Sequence, residues 1–73
     1  MRNNLYKALI SHYNSQIDEA VAALDIYFNK AVGIGEHSDL LLELKKYTEL
    51  LDSADSKLTT LKKYFNSDGS VAW

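Results

Sequence analysis

The chain of 73 residues contains no cysteine and no proline. The absence of cysteine excludes disulfide bridges and thiolate metal ligands, and it is compatible with the cytosol. The absence of proline leaves nothing that would kink a long helix. A chain of this length forms one domain, and its single core seldom supplies more than about 3–5 kcal/mol of net stability. Self-association is therefore the leading expected source of additional stability.

The sequence also lacks a strong charge of either sign and any long apolar run. Eight basic and ten acidic side chains give a net charge of −2, which favours neither nucleic acid nor an acidic membrane as a partner. The segment Met1 to Leu9 lacks the continuous apolar core of a signal peptide, and no stretch approaches the twenty apolar residues of a membrane span. We therefore expect a cytoplasmic protein without a membrane segment.

Two segments each carry eight mostly apolar positions at alternating steps of four and three residues, as in coiled-coil helices. Antiparallel pairing places Ala20 opposite Leu51 and Ile17 opposite Ala54, so that a small residue meets a large one. The predicted fold class is all-α, an antiparallel two-helix hairpin of coiled-coil type. We call these sixteen positions the seam: Tyr6, Ile10, Tyr13, Ile17, Ala20, Leu24, Tyr27 and Ala31 on the first helix, and Leu40, Leu44, Tyr47, Leu51, Ala54, Leu58, Leu61 and Phe65 on the second.

The expected organisation is a single helical-hairpin domain over residues 1–73. Helix 1 runs over about 4–32 with Asn3 or Asn4 as its cap, a turn covers 33–38, helix 2 runs over about 39–66, and a flexible tail covers 67–73. Glycine ends a helix readily and a serine hydroxyl caps the next one. The predicted turn and cap residues are Gly33, Ile34, Gly35 and Ser38.

More apolar residues lie outside the seam than one antiparallel pair of helices can cover. Around residues 20 to 28, helix 1 is apolar over most of its circumference, which is typical of a helix buried from several sides. The sequence therefore predicts a homo-oligomer, most simply a dimer of hairpins in a four-helix bundle, and an interface for a protein partner. The predicted interface residues are Leu5, Leu9, Val21, Ala23, Ile26, Phe28, Leu41, Leu42, Leu50 and Trp73.

The polar residues form no recognisable catalytic or cofactor site. The pair Gly33 and Gly35 has neither a preceding strand nor a following Lys-Ser/Thr pair, as phosphate loops do. His12 and His37 lack companion ligands one helical turn away. The carboxylate pairs Asp18 with Glu19 and Asp52 with Asp55 are expected on solvated faces, away from the concave pocket that acid–base catalysis needs. We expect no enzyme activity, no cofactor and no metal. A metal-dependent activity using His12 or His37 is the least favoured alternative.

Tyrosines and lysines together leave one alternative open. Base stacking on tyrosine, with lysines tracking the phosphates, would make the chain a nucleic-acid-binding hairpin dimer. Four of the five tyrosines are seam positions, which favours a packing role for them. The lysines of this alternative are Lys45, Lys46, Lys62 and Lys63.

One stretch of sequence carries a resemblance to a known group. The string Val32 to His37, the following Asp39-Leu40-Leu41, an Ala-x-x-Lys-Leu step at Ala54 to Leu58 and the Lys-Tyr-Phe at Lys63 to Phe65 resemble small uncharacterised helical proteins of T-even-like tailed phages, including marine cyanophages. The likeness spans about Leu5 to Phe65. It implies a phage accessory protein made in an infected bacterium, and it implies no activity.

Overall fold

The computed structural model describes residues 1–30 and 37–73, with side chains for 1–29 and 39–73. Within these residues the chain forms two helices, α1 (Arg2–Lys30) and α2 (His37–Tyr64). The two helices lie side by side as a rod of 52 × 18 × 14 Å. The all-α, two-helix prediction is confirmed.

Contacts between aromatic and charged side chains show how the helices are aligned. Tyr6 and Phe65 lie opposite each other in the antiparallel register of the seam, and their ring centroids lie 6.4 Å apart. The Lys57 ammonium lies 5.5 Å from the centre of the Tyr13 ring. At the other end of the rod, the Tyr27 and Tyr47 rings are 6.1 Å apart. These contacts run from one end of the hairpin to the other, and they agree with the antiparallel register read from the seam.

Of the residues whose side chains the structure describes, four form the buried core, and all four are seam positions. Ala20 and Ala54 are completely buried, and Leu24 and Leu58 are 8% and 5% exposed. The other described seam residues are half-buried, except Phe65, which is exposed. Ala31 lies outside the described residues. The core is a narrow strip because each helix has a neighbour on one side only.

The helix ends differ by a few residues from the sequence-based expectation. Helix α1 begins at Arg2, so Asn3 and Asn4 lie inside its first turn. Helix α2 begins at His37 and therefore includes Ser38, which was expected to stand in front of it. Gly33, Ile34 and Gly35 lie outside the described residues. Such shifts of one or two residues are usual at helix ends, where hydrogen bonding is weakest.

The end of α2 is set by the segment that follows it. Phe65 pairs with Val71 as an antiparallel bridge, and the Ala72 N–H donates to the Tyr64 carbonyl at 3.0 Å. The helix therefore stops at Tyr64, two residues earlier than expected, because the chain turns back on itself. Where the sequence suggested a flexible tail, the structure has a hydrogen-bonded turn.

Candidate interaction surface

Most of the large apolar residues outside the seam are exposed to solvent. Leu5 and Phe28 are each 65% exposed, and Leu42 is 63% exposed. Ala23 and Leu50, which also belong to the predicted interface, are half-buried. The remaining predicted interface residues are all exposed: Leu9, Val21, Ile26, Leu41 and Trp73.

The hairpin has two broad faces, and the exposed residues divide between them. A groove lined by Leu5, Leu9 and Leu61 runs along one face, which we call the apolar face. It continues past Leu9 and Leu61 towards Ser56 and Lys57. The groove therefore follows the contact between the helices for about half of the rod and is open to a second helical layer.

The opposite face, which we call the charged face, begins with two lysines. Lys7 and Lys62 line a groove together with Ile10 and Phe65 at the end of the rod near the chain termini. The antiparallel register sets these two lysines opposite each other, and both line one groove. Their repulsion is weakened by water and salt at this exposed end.

Further along the charged face, the lining of the surface becomes acidic. Asp52 and Asp55 flank the half-buried Leu51 beside Thr48. Both aspartates are solvent-exposed, as is the other carboxylate pair, Asp18 and Glu19. Solvated carboxylates of this kind lack the enclosed pocket that acid–base catalysis needs.

Tyr27 links the helices at the end of the rod away from the termini. Its hydroxyl points at Glu43 Oε2 across a long hydrogen bond of 3.5 Å. Partial burial, and then the negative charge of Glu43, raise the pKa of Tyr27 above its ordinary value of 10.0. The tyrosine therefore stays protonated at neutral pH and acts as a packing residue with a polar tip.

The C-terminal turn is the feature that sequence reasoning missed. Residues 66–69 form a tight turn in which the Gly69 N–H donates to the Asn66 carbonyl at 2.9 Å, and the Asn66 N–H donates to the Ser70 carbonyl at 2.7 Å. The string Asn-Ser-Asp-Gly between Phe65 and Val71 is a known signal for a three- to four-residue hairpin loop that closes on a left-handed glycine. The same string also commonly ends helices.

Asp68 stabilises this turn by accepting hydrogen bonds from Ser70. The Ser70 N–H donates to Asp68 Oδ1 at 2.8 Å, and the Ser70 hydroxyl donates to the same oxygen. These bonds, the hydroxyl's being the stronger influence, lower the pKa of Asp68 below its ordinary value of 3.8. The contribution of this carboxylate to folding stability is therefore present above its ordinary pKa of 3.8 and is lost as the pH falls through the lowered pKa.

Gly69 fastens the turn to the first turn of α1. Its φ is +84°, and a Cβ there would lie 2.9 Å from Arg2 Cγ and 3.2 Å from Tyr6 Cβ. Both the backbone angle and the close approach require glycine. The turn therefore holds the C-terminal segment against the first turn of α1, at the end of the rod away from the connection between the helices.

We expect Gly69→Ala to lower the free energy of unfolding by about 1–3 kcal/mol, because the strained angle and the contact with Arg2 must both be relieved. Urea unfolding followed by circular dichroism measures this loss. Fluorescence of Trp73, whose ring packs edge-on against Tyr64 at 5.4 Å, reports the tail in the same sample. The control is Ser67→Ala at an exposed position of the same turn. Equal midpoints for the two variants would show that the turn contributes nothing.

The candidate metal-ligating and nucleic-acid-binding residues lie apart from one another. His12 is exposed and packs edge-on against Tyr13, and no group of three possible metal ligands occurs among the described residues. Lys46 and Lys63 each lie over a neighbouring tyrosine ring, at 5.1 and 5.3 Å from its centre. In the part of the chain that the structure describes, no helix has the length and apolarity needed to cross a membrane.

Comparison with known proteins adds no relative. No family model matches the chain, and neither a curated protein nor a solved structure matches it significantly.

Proposed function

We propose that the chain is a non-enzymatic helical-hairpin protein that self-associates, as a dimer in a four-helix bundle, and works by binding another protein. The observation that carries this proposal is the contrast between its core and its surface. Among the described side chains four are buried, whereas large apolar side chains such as Leu5, Ile26 and Phe28 are more than half exposed.

The proportions of the hairpin support the need for a second layer. Each helix packs against one neighbour, so at least half of its circumference faces solvent. Apolar side chains that remain in water contribute nothing to folding, and covering them yields roughly 25 cal/mol per Å². Leu5, Leu9 and Leu61 share one groove, so a single partner surface can cover them together.

A place among phage accessory proteins rests on the sequence resemblance, to which the comparisons add nothing. In that setting the hairpin acts in the cytoplasm of an infected bacterium, and its partner is a phage or host protein. The exposed Phe28, Leu41 and Leu42 at one end of the rod and Trp73 at the other remain available for such a partner.

Nucleic-acid binding receives less support from the placement of the lysines. Lys46 and Lys62 are separated by sixteen residues of helix, which is roughly 24 Å at 1.5 Å per residue. Glu49, Asp52 and Asp55 lie on the helix between them, where their charges oppose those of phosphates. A continuous basic track along α2 is therefore interrupted by acidic side chains.

Thermal unfolding at several protein concentrations tests self-association. A folded dimer that dissociates on unfolding gains stability with concentration, so the melting temperature rises steadily between about 1 and about 100 micromolar protein. A melting temperature independent of concentration would contradict the proposal.

A titration with single-stranded and duplex nucleic acid tests the nucleic-acid-binding alternative. Binding by the lysines weakens steeply with salt and is lost when Lys62 and Lys63 are changed to Glu. We expect no salt-dependent binding. Binding that these changes abolish would favour the nucleic-acid alternative.

A further inference from the structure

Helix α1 carries a second regular stripe beside the seam, on the apolar face. Its positions again alternate steps of three and four residues, with apolar side chains near both ends and polar ones in the middle. Leu9 is 39% exposed and Ile26 52% exposed, and Leu9 borders the groove against α2. We call this set the second stripe: Leu5, Leu9, His12, Gln16, Glu19, Ala23 and Ile26.

The second stripe is complementary to a reversed copy of itself. When a second α1 runs antiparallel across it, Leu9 lies opposite Ile26, and Gln16 lies opposite Glu19. Each pairing occurs twice because a two-fold axis relates the copies. Apolar residues then meet apolar residues, and an amide that can donate hydrogen bonds meets a carboxylate that accepts them. The axis crosses α1 between Ile17 and Asp18.

Helix α2 shows the same property on the same face. With an antiparallel copy of α2, Lys46 lies opposite Tyr64. A cation–ring contact between the copies would replace the contacts within each hairpin, where Lys46 lies over Tyr47 and Lys63 over Tyr64. Leu50 lies opposite Thr60 in the same arrangement. The axis for these pairs crosses α2 at Asp55. The hairpin register sets the α1 axis level with the midpoint between Ser53 and Ala54, so the two positions differ by roughly 2 Å along the rod. One two-fold axis therefore suits both helices.

The two faces differ in the number of charges that an interface would bury. Between Leu5 and Ile26 the second stripe contains one charged side chain, Glu19. The stripe on the charged side of α1 contains Lys7, Asp18 and Asp25 over a similar length. Removing charges from water is costly unless they are well paired. On α2 the apolar face carries Lys46 and Lys57, and the charged face carries Asp52, Asp55 and Lys62. Over both helices the apolar face has fewer charges, so a second hairpin can cover it at lower cost.

The exposed area of the hairpin matches what a dimer needs. Its accessible surface is 5464 Å², whereas a compact monomer of 8.3 kDa exposes about 4,600 Å². The excess is about 900 Å², close to the roughly 800 Å² that each partner loses in a standard interface. A second copy on the apolar face would thus bring the surface to the usual proportion.

We propose that the occupant of the apolar face is a second copy of this chain, packed antiparallel so that α1 lies on α1 and α2 on α2. The inference rests on the proposed self-association and adds its face, its orientation and its register. The exposed residues of the charged face near the helix connection, Val21, Phe28 and Leu41, stay outside this interface.

Two matched variants test the face. Ile26→Asp and Phe28→Asp place the same charge at exposed sites two residues apart, on opposite sides of α1. In sedimentation equilibrium we expect Ile26→Asp to weaken the dimer at least tenfold and Phe28→Asp to leave it unchanged, with equal helicity by circular dichroism. The reverse result would overturn the apolar face while leaving self-association intact. A monomeric unmodified chain would overturn both proposals.

Cysteine cross-linking tests the register, since the chain has no cysteine of its own. The antiparallel pairing sets His12 opposite Ala23, so we expect a disulfide in an oxidised mixture of His12→Cys and Ala23→Cys chains. Either variant alone should not cross-link, because like residues are then roughly 16 Å apart along the axis, beyond the 7 Å limit for Cα atoms. Cross-linking of like with like, or of neither combination in an intact dimer, would overturn the register.

Discussion

Leu24→Ala lowers the free energy of unfolding by about 2–5 kcal/mol, the range seen when a buried leucine is truncated in a packed core. Leu24 is 8% exposed and lies in the packed seam between the two helices, so little can move to fill the space. Urea unfolding at one fixed protein concentration, followed by circular dichroism at the helix band, measures the loss.

The matched control is Leu42→Ala, the same truncation at a site that is 63% exposed. We expect it to change the free energy of unfolding by less than about 0.5 kcal/mol. Similar losses for the two variants would mean that the seam is not the core of the molecule. Leu51→Ala should give a loss between these two, because Leu51 is a seam residue that is half-buried.

Ala54→Leu destabilises the hairpin by about 1–3 kcal/mol, because the alanine is completely buried and the added atoms must displace its neighbours. The seam places Ile17 opposite Ala54, so Ile17→Ala creates the space that the new leucine needs. We therefore expect the double variant to be more stable than the sum of the single effects predicts, by at least about 1 kcal/mol. Unfolding of all four proteins in urea gives this coupling energy.

A control separates overpacking from the general effect of a larger side chain. Ala22→Leu places the same residue at an exposed position of α1, where we expect a change within about 0.5 kcal/mol. Additive effects of the Ile17 and Ala54 changes would show that the two side chains do not face each other. The register would then need to shift along the helices.

The helices could be predicted from the sequence because the seam is a strong periodic signal. Spacing alone assigned Leu24 and Leu58 to the core, and pairing explained why alanine stands at Ala20 and Ala54. The chain contains no proline to interrupt the pattern. Regular packing of this kind depends on residues three and four apart, which a sequence displays directly.

The C-terminal turn could not be predicted in the same way, because its decisive contact is long-range. Gly69 packs against Arg2 and Tyr6, at the other end of the sequence. Its local signal, Asn66 to Gly69, serves equally to end a helix and to form a tight turn. The segment folds back because the first turn of α1 lies beside the end of α2.

The exposed fraction of each individual seam residue also could not be predicted from the sequence. Leu24 and Leu51 occupy equivalent positions in the repeat, but Leu24 is buried and Leu51 is half-buried on the charged face beside Asp52 and Asp55. A two-helix layer has two open sides, and the seam pattern does not state how far each side chain leans towards one of them. The exposed fraction of such a side chain is determined by how the two helices pack against each other.

Sedimentation equilibrium of the unmodified chain at micromolar concentration tests the central claim most directly. If the apolar face is covered by a second copy, the mass is twice the 8.3 kDa of the chain, and it decreases on dilution as the dimer dissociates. A mass of 8.3 kDa at every concentration, with full helicity by circular dichroism, would show that the hairpin is stable alone and would contradict the account.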